Sequence, residues 1–143
     1  MKINRPFMYN LVLFFCLSQG SFAQSDSIWH VVQNLHLTKS DSAIGICYQQ
    51  LREISKNDFS NLSQAHYWIG NTYMKLNIDS AQRHANMALE LANRSDDPIL
   101  RAKSHHLLGS IDNRSSKFDS AIDNFKKGLE ELRSEKDTTS GRY

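Results

Sequence analysis

An all-α fold built of repeated helix pairs is what this sequence predicts, and three observations predict it. The tripeptide Asp-Ser-Ala stands at 41–43, 79–81 and 119–121, at spacings of 38 and 40 residues. Asp58, Asp97 and Asp137 recur at 39 and 40, and Gly70 and Gly109 at 39. Between these markers, apolar side chains return at three- and four-residue steps, the period of a helix with one buried face. Two prolines and six glycines in 143 residues are too few for a loop-rich or all-β chain. The length suits one modest domain.

The first residues are expected to lie outside that fold. Lys2 and Arg5 open the chain, Leu11 to Leu17 is an apolar run, and Ser21-Phe22-Ala23 offers small residues at a cleavage site. This order is that of a secretory signal over residues 1–23. The run is shorter than the roughly 20 apolar residues of a membrane-spanning helix. The expected location is therefore periplasmic or secreted, with an uncleaved N-terminal anchor as the alternative. Phe15 before Cys16 argues against lipid modification of that cysteine.

Cleavage changes the charge. The chain has 17 basic and 15 acidic residues. Losing Lys2 and Arg5 leaves 15 of each, so no net field remains to gather nucleic acid or anionic lipid. Cys47 is then alone and has no intramolecular disulfide partner. Its expected role is a small buried residue on a helix.

Three units follow, at about 26–56, 59–95 and 98–135. The first is legible mainly in its second helix, through Ala43, Cys47 and Leu51. In the second unit, Ala65, Ile69, Tyr73 and Leu76 share one helical face, and Ala81, Ala85, Ala88, Leu89 and Ala92 form a stripe of small residues on the next helix. The third repeats this with Leu107, Leu108 and Ile111, then Ala121, Phe125, Leu129 and Leu132. Asp41, Asp79 and Asp119 stand where second helices start, as expected N-terminal caps and dipole partners. Asn77 and Ser115-Ser116 supply turns, and Arg94 to Pro98 a polar link. Pairs of this kind need neighbours to bury their faces, and about three repeats usually suffice. Residues 136–143 align with the start of a further first helix, or form a tail. The last apolar face is then left without a polar cap, which makes it an expected site of self-association.

Ile69-Gly70, Tyr73, Ala81 and Ala88 resemble the tetratricopeptide repeat pattern, with a turn one residue shorter. Leu108-Gly109, Ala121 and Phe125 resemble it again, with Asp112 in the aromatic slot and Gly128 in that of the second alanine. The resemblance covers about 110 residues, and the period near 40 is similar to that of extended repeats in exported bacterial proteins. It implies a short right-handed solenoid of antiparallel helix pairs whose concave groove is lined by first helices. Carried across, the groove slots hold Gln64, Tyr67, Asn71, Met74 and Lys75, then Lys103, His106, Ser110, Asn113 and Arg114. Donors, an aromatic face and three cations suit an extended peptide with some acidic character. Trp68 and Leu107 stand where some relatives carry a clamp for a terminal carboxylate.

Other chemistry is poorly supported. His66 and His105 fill equivalent slots and His105-His106 adjoin, yet no His-x-x-x-His pair or acid at ligand spacing accompanies them. No Gly-x-Ser-x-Gly and no phosphate-cradling glycine loop occurs. The Asp-Ser-Ala triplets resemble O-glycosylation acceptors of some exported bacterial proteins, but their place at helix starts accounts for them equally. The expectation is a module that binds a protein or peptide, without catalysis, metal or cofactor. The alternative that the resemblance implies is the sensory repeat region of a bacterial signalling protein, such as a histidine kinase or transcriptional regulator.

Overall fold

Acidic and amide side chains set where the helices begin. Asp58 accepts a hydrogen bond from the Asn61 backbone N–H at 3.1 Å, and Asp97 accepts from those of Ile99 and Leu100 at 2.9 and 3.1 Å. Pro98 follows Asp97, in a first-turn position that costs no backbone donor. Asn77 accepts from the Ser80 N–H at 2.9 Å. In the computed structural model, which describes residues 21–140 (side chains over 28–136), these caps punctuate a wholly helical chain.

Six helices and no strand occur among the described residues: α1 Ser21–Leu35, α2 Ser40–Glu53, α3 Phe59–Tyr73, α4 Ile78–Ser95, α5 Pro98–Arg114 and α6 Phe118–Ser140. The export signal expected over 1–23 lies outside the described residues except for its last three, which open α1. Both helices of the first unit form. At the other end, α6 runs unbroken past Lys136 to Ser140, where the Asp137 marker aligned with the start of a new helix. No Gly or Pro stands between Leu129 and Ser140 to stop it, and Glu, Lys and Arg favour continuation.

The caps correct one expectation. Asp41, Asp79 and Asp119 sit inside the first turns of α2, α4 and α6 rather than at the N-cap, which in α2 is Lys39 and in α4 is Asn77. Their carboxylates meet the positive helix end, while capping belongs to the other aspartate series at Asp58 and Asp97. Asp96 ends α4 in the left-handed region at φ 53°, a conformation that Asp tolerates better than most residues. That single residue turns α4 into the Asp97 cap.

Small residues decide how closely helices approach. Ala81, Ala85, Ala88 and Ala92 of α4 are all fully buried. A Cβ on Gly70 would stand 3.2 Å from both the Ala81 carbonyl oxygen and the Ala85 nitrogen, and one on Gly128 would stand 3.2 Å from the Ala102 carbonyl oxygen. Two turns before Gly70, the Ser63 hydroxyl donates to the Ala88 carbonyl oxygen at 2.8 Å. Two apolar cores result. Trp29, Val32, Ala43, Cys47, Ala65 and Ile69 join α1, α2 and α3. Ala81, Ala85, Leu107, Leu108 and Ile111 join α4 to α5, and Tyr73 packs against both cores. α5 is buried on several sides at once, through Leu100, Ala102, Ser104, Leu107, Leu108, Gly109, Ile111 and Asp112. Leu76 departs from the expected face: it falls beyond α3 in the turn and is exposed.

Candidate partner-binding groove

A concavity lies over α5 and α6. It is a hollow of about 470 Å³ lined by Tyr67 from α3, Ile99, Ala102, Lys103 and His106 from α5, and Phe125, Gly128, Leu129 and Leu132 from α6. Side-chain spacing explains the floor. Ala102 and Gly128 are small and buried, so α5 and α6 approach closely there, while Phe125, Leu129 and Leu132 recur at four- and three-residue steps beside them. The His106 and Phe125 rings stand 5.6 Å apart, and Leu129 keeps 59% of its surface exposed. A neighbouring hollow of about 230 Å³ is lined by Trp29, His30 and Gln33 of α1, Gln64 and Trp68 of α3, and Lys103. Lys103 thus borders both, and the Tyr67 and Trp68 rings meet edge to face at 5.1 Å between them.

Four residues of the expected groove are therefore brought onto one surface: Gln64, Tyr67, Lys103 and His106. Met74 packs against the second core instead. Asn71 is half-buried and lines neither hollow. Ser110 turns its hydroxyl back to the His106 carbonyl oxygen at 2.9 Å. Lys75, Asn113 and Arg114 are exposed around the C-terminal ends of α3 and α5, away from both hollows. The apolar half of the surface, on α6, is expected from sequence as an uncapped end face and not as part of the groove, because the transferred slots belong to first helices only. The spacing of Phe118, Ile122, Phe125, Leu129 and Leu132 carried the signal.

Polar clusters occupy equivalent places in the last two units. His66 Nδ1 and His84 Nδ1 are 2.9 Å apart, so one ring donates and the other accepts, and His84 Nε2 lies 3.3 Å from the Tyr48 hydroxyl. Burial, and then the neighbouring His84, lowers the His66 pKa to about 4. Burial and then the Arg83 charge lower that of His84. In the next unit His105 and Asn124 take these two places. The buried Asp112 accepts from the Ser120 hydroxyl at 2.6 Å and the Asn124 amide at 3.0 Å, while Asn124 Oδ1 lies 3.1 Å from His105 Nδ1. Arg101 pairs with Glu131 at 2.8 Å and Asp96 at 3.2 Å, tying α5 to α6 and to the α4 cap.

Cys47 is fully buried, and burial pushes its thiol up to about 12, as suits a packing residue with little thiolate. Among the described residues, no three His, Cys, Asp or Glu side chains gather as a metal would need, and no helix is long and apolar enough to cross a membrane. No protein-family model, curated protein or solved structure matches the chain.

Proposed function

We propose that this protein is a non-catalytic interaction module, exported from the cell, which holds a protein or peptide along the surface around Tyr67, Lys103 and His106. Its helices form antiparallel pairs stacked as a short right-handed solenoid of the tetratricopeptide type. Contact order supports the pairing: Ser63 meets Ala88 while Gly70 meets Ala81, and Ala102 meets Gly128 while Gly109 meets Ala121. The repeated markers support the stacking, and the order of the first 23 residues supports export.

The single observation that carries the reading is the apolar hollow edged by Lys103, His106 and Tyr67. Apolar walls with a few placed polar groups are the usual make-up of a binding surface. A half-buried titratable pair exists at His66 and His84, but it sits between packed helices and does not line the hollow. Panning the full chain against a random peptide library tests the reading. Tyr67→Ala and Lys103→Glu should each weaken selected peptides about tenfold, a loss of about 1.4 kcal/mol, with helicity unchanged. Peptides indifferent to both substitutions, or no binding peptide at all, sink it.

A further inference from the structure

The repeat relates the hollow to a groove that is already filled. On α4, Ile78, Ala81, Ala85 and Leu89 pack with Leu107, Leu108 and Ile111 of α5. A shift of 40 residues carries these four α4 positions to Phe118, Ala121, Phe125 and Leu129 of α6. A shift of 39 carries Tyr67 and Gly70 to His106 and Gly109. The α5–α6 groove is thus a second copy of the α3–α4 groove in which α5 sits. Over the copy, Phe118 and Leu129 are each 59% exposed, Ile122 51%, Leu132 45% and Ile99 41%. Four partly exposed large side chains along α6, with Ile99 of α5 across from them, exceed the scattered apolar exposure of an ordinary surface.

We propose that this groove takes one amphipathic helix of a partner protein, acidic along its flanks, seated on α5 and α6 as α5 is seated on α3 and α4. The inference rests on the interaction reading above and names the class of partner. Two arguments carry it. The first is hydrogen bonding. The lining is almost wholly apolar and offers few groups to an extended backbone, whereas a helix satisfies its own N–H and C=O groups. The apolar row from Phe118 to Leu132 spans about 21 Å of α6, which matches a partner helix of about four turns. This replaces the extended peptide expected from the first-helix slots alone. The second is charge. Lys103 and His106 edge the α5 side, and Lys126 and Arg133, seven residues apart, run along the free flank of the apolar row, all exposed. Asp119 lies at the opposite end of that flank, and Asp123 and Glu130 are exposed on the next row of α6, off the hollow. Glu or Asp beside a Leu and Ile stripe complements this rim, and Lys or Arg opposes it.

The test uses the full chain and three synthetic peptides copied from Pro98–Arg114. All keep its leucines and isoleucines; one carries Glu at the polar positions, one Lys, and one Glu with a central proline. Fluorescence anisotropy should show the Glu peptide binding at least tenfold more tightly than the other two, with a gain of helicity on binding. Leu129→Glu, an exposed change that leaves the fold intact by circular dichroism, should weaken it at least tenfold. Lys126→Glu with Arg133→Glu should reverse the preference towards the Lys peptide. Equal binding of the Glu and proline peptides overturns the helical partner, and equal binding of the Glu and Lys peptides overturns the acidic one. Should sedimentation show a dimer that Leu129→Glu dissociates while no peptide binds, the occupant is a second copy and the proposal fails. Library peptides that bind through Tyr67 and Lys103 but ignore Leu129→Glu leave the interaction reading standing and remove only this inference.

Discussion

His66 and His84 face each other across 2.9 Å on α3 and α4, with Tyr48 of α2 and Tyr73 of α3 beside them and Arg83 on the solvent side. One proton between the two Nδ1 atoms makes the contact a hydrogen bond; protonating both rings makes it two facing cations beside an arginine. Both folded pKa values lie below the ordinary 6.5, that of His66 at about 4. Between these limits the unfolded chain binds more protons than the folded one, so stability rises with pH there. The contribution is complete above about pH 6.5 and is lost as pH falls towards 4. Thermal melts should therefore hold a constant midpoint from pH 8 to 7 and fall between 6.5 and 5, above the range where carboxylates titrate. His84→Gln keeps a partner for His66 and removes the second charge; it should lessen that fall without abolishing it, because the burial of His66 remains, and an unchanged slope would show that the pair does not govern it. Sequence revealed only that His66 and His105 are equivalent. The link to His84 depends on the turn length between α3 and α4, which aligned markers do not fix to the residue. Cys47 was fully legible, because a lone cysteine at a helical apolar position has few other places to be.

Among the elements, glycine separates helix chemistry from helix packing. Gly45 lies within α2 with no atom within 4 Å of an added Cβ, whereas a Cβ on Gly109 in α5 would stand 2.7 Å from the Phe125 ring and 3.1 Å from the Ala121 carbonyl oxygen. Gly45→Ala should therefore stabilise the protein by about 0.5–1 kcal/mol, the helix preference for alanine alone. Gly109→Ala gains the same preference but must push α6 or its ring aside at a cost of about 1–3 kcal/mol, so a net loss is expected. Urea titrations of the two variants should move in opposite directions, and two gains would mean that α5 and α6 have room to part. The periodicity made this contrast half visible: Gly109 shares its place with Gly70 in a repeat, and Gly45 has no such counterpart. The same markers misassigned the caps. Asp-Ser-Ala looks like an N-cap because acids and helix starts coincide, yet the chain turns earlier, at Asn77, and the true caps at Asp58 and Asp97 belong to the other series. A first-turn aspartate and a capping one are a residue or two apart and share a composition, so only the backbone tells them apart.

Across the whole molecule, burial is unevenly shared. α5 is enclosed by α3, α4 and α6 and holds eight buried residues, whereas α2 holds two, Ala43 and Cys47. Among the described side chains of α1, Trp29 and Val32 enter the core, and the Trp29 indole donates a long-range hydrogen bond to Asn61 at 3.3 Å. Repeat architectures behave as units coupled to their nearest neighbours, so a weakly coupled end opens without the rest. Tyr73, the residue that packs on both cores, marks where such an opening should stop. Native-state hydrogen exchange should show the amides of α1 and α2 exchanging at least tenfold faster than those of α5, through an opening that leaves α3 to α6 intact. The groove over α5 and α6 would then keep its shape while the first unit frays, which places the proposed binding surface on the firmest part of the protein. If α2 and α5 instead exchange together at every denaturant concentration, the chain unfolds as one unit. Its two cores would then be coupled through Tyr73 and its neighbours more tightly than their separate packing implies.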